Sequence, residues 1–135
     1  MVAELRPRRP GTIPRQFGRF LVVGVMNNVL SVLAYRALLA LATPYVLAAP
    51  LAFAVGAVNG YVFNRRWTFG ARDSTAARFR YVVVQALAAG STSVLVLLLV
   101  RGAGAGKLAA YLAAVPPVTV ATFAANRLWT FEARR

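Results

Sequence analysis

The sequence predicts an all-α integral membrane protein with four transmembrane helices, arranged as two parallel helix-pair repeats with both termini cytoplasmic. Three observations predict it. The chain has a mean hydropathy of +0.62, is 59% hydrophobic and carries only 14% charged residues, against about a quarter in a soluble domain. Four apolar runs, near 20–42, 45–63, 81–100 and 108–128, are each long enough at ~20 residues to cross a ~30 Å hydrocarbon layer as a helix. A phrase recurs 62 residues apart: Asn64-Arg65-Arg66-Trp67-Thr68-Phe69 returns as Asn126-Arg127-Leu128-Trp129-Thr130-Phe131, each copy closing an apolar run.

Residues 1–19 carry Arg6, Arg8, Arg9, Arg15 and Arg19 among Pro7, Pro10 and Pro14. Such a stretch cannot bury enough apolar surface to order itself and reads as a disordered basic cytoplasmic tail. A signal peptide is the competing reading of the start, but the apolar run is too long and contains Asn27, Asn28 and Arg36. The membrane domain is then 20–131, with 132–135 a second cytoplasmic tail. In lipid every backbone group must be satisfied internally, so all four runs are read as helical.

The first run opens Arg19-Phe20-Leu21-Val22-Val23, and the third opens Arg80-Tyr81-Val82-Val83-Val84, 61 residues later. Two spans per repeat is an even number, so both copies point the same way. The second and fourth runs hold Pro50 and Pro116-Pro117, which remove helix hydrogen bonds and bend the axis. Arg36 lies ~24 Å along the helix from Phe20, near the far interface, where its head can snorkel.

Orientation follows from the cations. Thirteen of the sixteen Lys and Arg residues lie before span one, between spans two and three, or at and after the end of span four; only Arg36, Arg101 and Lys107 lie on the other side. The positive-inside rule places the thirteen in the cytoplasm, so the expected location is the cytoplasmic (inner) membrane, multi-pass, N-in and C-in. A net charge of +13 would suggest nucleic acid in a polar chain. Here the arginines sit between apolar runs, so anionic lipid headgroups are the expected partner.

Chemistry is constrained by what is missing. There is no cysteine and no histidine, and the acids are Glu4, Asp73 and Glu132, all outside the spans. Thiolate nucleophiles and the usual zinc sites are excluded, no nucleotide-binding loop is present, and neither enzymatic activity nor a cofactor is expected. A proton-coupled exporter of the small multidrug type normally needs a carboxylate at depth, which argues against that class.

Each span carries small and polar residues at helical spacing: Asn27, Ser31 and Tyr35; Gly56, Gly60 and Asn64; Gln85, Ala89 and Ser93; Thr119, Thr122 and Asn126. The bland explanation is helix packing through small residues and interhelical amides, with Gly56 and Gly60 also candidate dimer contacts. The sharper one is a polar path, with Asn27 and Asn28 its best candidates, because a buried amide is costly without a partner. At the rim, Trp67, Phe69, Trp129 and Phe131 fit aromatic interface anchors, and Arg65 and Arg127 fit positive-inside anchoring. Anchoring alone does not require the repeated asparagine and threonine. A guanidinium matches a phosphate bidentately, and Asn64 and Asn126 could fix that fork or bond a sugar hydroxyl. With Arg19 and Arg80 these residues form a basic ring suited to a lipid-linked phosphate.

The residues Arg19-Phe20-Leu21-Val22-Val23-Gly24-x-x-Asn27 and Asn64-Arg65-x-Trp67-Thr68-Phe69 make the chain resemble the GtrA-like family of small four-span membrane proteins, over about residues 17–131. The chain departs from the family at Asn28, where threonine often follows the asparagine. The resemblance implies a role in cell-surface polysaccharide synthesis: translocation of a polyprenyl-phosphate-linked sugar across the cytoplasmic membrane or, alternatively, a non-transporting scaffold that recruits a polyprenyl-phosphate glycosyltransferase. It places Asn27, Asn64, Arg65, Trp67 and Phe69 at motif positions. Four helices barely enclose a sugar, so a homodimer is expected.

Overall fold

The computed structural model describes residues 11–132, and these fall into two compact units divided between Arg72 and Asp73. In the first, α1 spans Ile13–Ala40, α2 Tyr45–Phe63, and a single wide turn, π1, Asn64–Thr68. In the second, α3 spans Thr75–Gly102, α4 Lys107–Ala125, and π2 Asn126–Thr130. No strand occurs among the described residues. The segments Ile13–Ala40, Tyr45–Thr68, Thr75–Gly102 and Lys107–Thr130 are each long and apolar enough to cross a membrane. Their outward surfaces are apolar as well: Val25, Leu33, Phe79 and Leu98 are all exposed. A soluble protein rarely exposes such a face, and the chain is a multi-pass membrane protein.

Both odd-numbered helices start earlier than the hydropathy suggests. Helix α1 begins at Ile13, with Pro14 in its first turn, where its fixed φ and missing N–H cost nothing. Residues 13–19, expected in the tail, are therefore helical, while 1–10 and 133–135 lie outside the described residues. Helix α3 begins six residues before its apolar run, because Ser74 caps it: its Oγ accepts the Ala77 N–H at 3.0 Å. At 28 residues each, α1 and α3 are ~42 Å long and outreach a ~30 Å hydrocarbon core.

In the first unit, α1 ends with Ala42 at φ 62°, and the Thr43 N–H reaches back to the Leu38 carbonyl at 3.0 Å. This is a Schellman ending that holds an alanine in left-handed backbone, where glycine is the unstrained choice. Two residues later Pro44 stands at the N-cap of α2. The seam between the helices is built from small residues: Ala48, Ala52, Gly56, Gly60, Asn64 and Thr68, at every fourth position, are all buried. Against them α1 buries Gln16, Phe20 and Val23. Gly56 is required by close approach, since a Cβ there would collide with the Ser31 hydroxyl and lie 3.0 Å from the Asn27 carbonyl oxygen. Packing within the unit thus already uses Gly56, which the sequence also offered as a dimer contact.

The second unit repeats the plan with other residues. Helix α4 buries Ala110, Ala114 and Thr122, π2 buries Asn126 and Thr130, and α3 buries Ala77, Tyr81 and Val84. Positions 62 apart on the even helices and 61 apart on the odd helices carry the seam in both units. The prolines Pro50 and Pro116-Pro117 sit inside continuous α2 and α4.

Candidate functional site

Each unit ends its even helix in the repeated phrase, and the phrase forms the same backbone feature both times. The Phe69 N–H donates to the Asn64 carbonyl at 2.9 Å and the Phe131 N–H to the Asn126 carbonyl at 2.8 Å, five residues back instead of four. Such π turns are rare and concentrate at functional positions. In the first unit Gly70, at φ 58°, then turns the chain, and the Ala71 N–H reaches the Arg65 carbonyl at 2.7 Å. That is a glycine C-cap widened by one residue.

A helix end leaves carbonyls without intrahelical partners. One of these, on Trp67, accepts from Arg19 Nη1 at 2.9 Å, and the same guanidinium lies over the Trp67 indole, 5.1 Å from its centroid. The second unit has the identical corner: Arg80 Nη1 donates to the Trp129 carbonyl at 3.0 Å and stacks 5.5 Å from the Trp129 centroid. The next residue along each odd helix completes the corner by ring contact, Phe20 with Phe69 at 6.5 Å and Tyr81 with Phe131 at 6.1 Å. The helix C-terminus favours a cation, and the indole face does so too. Arg19 and Arg80 are thereby held in one orientation, with Nε and Nη2 donors left for a second acceptor. The sequence placed these arginines in a basic ring; their seat on the indole and carbonyl of the repeated phrase emerges only from tertiary packing.

The other expected site residues divide. Asn64 is 2% exposed and Asn126 is 0% exposed, so both amides point into the helix seam and not to the rim. Asn64 Oδ1 accepts from Thr68 Oγ1 at 2.9 Å, which closes the π turn from within. In the second unit the corresponding atoms, Asn126 Oδ1 and Nδ2 and Thr130 Oγ1, are buried without a hydrogen-bond partner. Arg65 Nη1 lies 3.4 Å from the Ala71 carbonyl, its guanidinium is 5.9 Å from the Tyr61 ring centroid, and its Nε is buried without a partner. Arg127, in π2, is half-buried. Trp67 and Trp129 are exposed and Phe69 is half-buried, whereas Phe131 is buried against Tyr81. Asn27 Oδ1 accepts from Asn59 Nδ2 at 2.7 Å across the α1–α2 seam. Asn28, next to it, is exposed. The described residues contain no His, Cys, Asp and Glu group able to hold a metal ion.

The elements that carry these corners run from Arg19 to Phe131. Residues 19–131 match the family described as GtrA/DPMS, transmembrane domain. The chain belongs to this family. It is also 32% identical over 119 residues to the uncharacterized membrane protein YngA of Bacillus subtilis (strain 168), an alignment covering 87% of this chain and 80% of that protein. No solved structure shows significant similarity to it. Membership in the GtrA/DPMS family supports a role in processes that involve polyprenyl-phosphate sugars.

Proposed function

We propose that the protein translocates a polyprenyl-phosphate-linked sugar across the cytoplasmic membrane. The observation that carries this reading is the duplicated corner in which an arginine, stacked on a tryptophan and bonded to a helix-terminal carbonyl, keeps two donors for an acceptor. A planar guanidinium held this way matches two oxygens of a phosphate. Arg65 and Arg127 add positive charge beside each corner. In this reading the phosphate meets Arg19–Trp67 or Arg80–Trp129 first, while the prenyl chain stays in the hydrocarbon. The cationic bias of the sequence supports placing both corners at the cytoplasmic surface. Transport is downhill, driven by synthesis on one side and consumption on the other.

One observation favours the second reading, a scaffold that recruits a polyprenyl-phosphate glycosyltransferase. Asn59 Nδ2 donates to Asn27 Oδ1, which commits one donor and one acceptor to the helix seam and leaves fewer of them for a polar path for the sugar. Reconstitution in liposomes with a short-chain polyprenyl-phosphate hexose separates the two. Transport predicts sugar reaching the far leaflet, with at least a tenfold loss of rate in Arg19→Ala/Arg80→Ala and partial rescue in Arg19→Lys/Arg80→Lys. Exchange no faster than in protein-free liposomes, from folded protein that still binds the lipid, supports the scaffold.

A further inference from the structure

The two units share a plan but not a seam. At the positions that lock α1 to α2, the second unit has different residues. Asn27 and Asn59, which bond across the first seam, correspond at offsets of 61 and 62 to Ala88 and Ala121; Gly56, the point of closest approach, corresponds to Val118. Amides that would tie the helices are methyls, and the glycine that would let backbones touch carries a branched side chain. The hydroxyls nearby do not cross over either. Thr92 Oγ1 donates to the Ala88 carbonyl at 2.8 Å and Thr122 Oγ1 to the Val118 carbonyl at 2.7 Å, each on its own helix.

The consequence is a cleft of about 320 Å³ between α3 and α4, whose walls include Ala88, Val118 and Ala121. It extends along α3 from Val84 to Leu95 and along α4 from Pro117 to Ala125, or ~12–16 Å at 1.5 Å per residue. That is about half the hydrocarbon thickness. One end lies one helical turn from Arg80 and two residues from Arg127, so it ends near the Arg80–Trp129 corner. The only polar residues on its walls are Ser91 and Thr122, and the Thr122 hydroxyl is spent on its own helix. A sugar placed there would leave most of its hydroxyls without partners. The volume, spread over that length, is the gauge of one hydrocarbon chain and not of a helix ~10 Å across.

We propose that this cleft seats the head-proximal part of the prenyl chain of a lipid phosphate whose phosphate lies on the Arg80–Trp129 corner, and that the first unit, zipped by Asn27, Gly56 and Asn59, holds no chain. This rests on the lipid-phosphate reading above and adds that the two halves have unequal roles: the second binds the chain and the first does not.

The test uses the full chain in nanodiscs with a diazirine-bearing polyprenyl phosphate and mass-spectrometric mapping of the labelled peptides. Labels are expected on Leu87, Leu95, Val118 and Ala121 at least fivefold over the α1–α2 peptides, and displaced by unlabelled polyprenyl phosphate but not by phosphatidic acid. The triple variant Ala88→Asn/Val118→Gly/Ala121→Asn, which transplants the first seam into the second unit, is expected to label at least tenfold less. Specific labelling spread evenly over both units overturns the cleft while leaving the lipid-phosphate reading intact, as does wild-type labelling in a folded triple variant. Equal displacement by phosphatidic acid overturns the assignment to a prenyl chain. Labelling that no polyprenyl phosphate displaces overturns both readings. If a photoreactive residue at position 121 captures a second copy of the protein in place of lipid, the cleft is an interface between copies and the proposal fails.

Discussion

Gly56→Ala is the most exacting test of the first seam. The new methyl would meet two groups on α1: the Ser31 hydroxyl, in direct collision, and the Asn27 carbonyl oxygen at 3.0 Å. The hydroxyl can rotate away. The carbonyl belongs to helix backbone and moves only if α1 moves. Overpacking of this kind costs ~1–3 kcal/mol. Separating the helices also weakens the 2.7 Å Asn59–Asn27 bond, an interhelical contact of ~0.6 kcal/mol on average and up to ~1.7 in membranes. Alanine returns ~1 kcal/mol of helix propensity, so the net loss should be about 0.6–3.7 kcal/mol. Unfolding in mixed detergent micelles, followed by circular dichroism, measures it. The same change in a Ser31→Ala background divides the cost, because only the carbonyl contact then remains. Gly90→Ala, at a helical site with nothing within 4 Å of the added methyl, is the control and should be neutral or stabilising. A Gly56→Ala protein within about 0.5 kcal/mol of wild type would refute the close-approach argument.

Other contacts carry expected outcomes of their own. Arg19→Ala removes a charged hydrogen bond and an indole contact from an exposed corner, together worth ~1–3 kcal/mol; Trp67 emission should shift, and Arg80→Ala should do the same for Trp129. Asn64→Ala strands the Thr68 hydroxyl in a buried site and should cost ~1–3 kcal/mol. Asn126→Ala, by contrast, removes an amide that is buried without a partner and should be neutral or stabilising in the same unfolding assay; an equal loss in both variants would show that the two asparagines play one role. Ala42→Gly relieves a left-handed alanine and should gain ~0.5–1 kcal/mol. Arg78→Ala breaks the exposed ion pair with Asp73 and should change stability by under ~0.5 kcal/mol.

The sequence by itself determined the four helices and the recurrence of the phrase at 64–69 and 126–131. Hydropathy and phrase are properties of the chain read locally, and lipid leaves a hydrophobic segment of ~20 residues little choice but to be helical. Start points were less legible. Residues 13–19 look like a tail by composition, yet Pro14 at the first turn and a continuous helix place them in α1. Spacing marked Arg19 and Arg80 as rim charges, but their partners 48 and 49 residues away, Trp67 and Trp129, depend on the register in which two helices meet. The same holds for the asparagines. Asn64 and Asn126 open nearly the same phrase, yet Asn64 bonds the threonine four residues on while Asn126 is buried with no partner. The difference between the two seams was encoded in the exchange of Asn27, Gly56 and Asn59 for Ala88, Val118 and Ala121. It became readable only with the helices in place, because a glycine or an amide has no meaning for packing until the surface it touches is known.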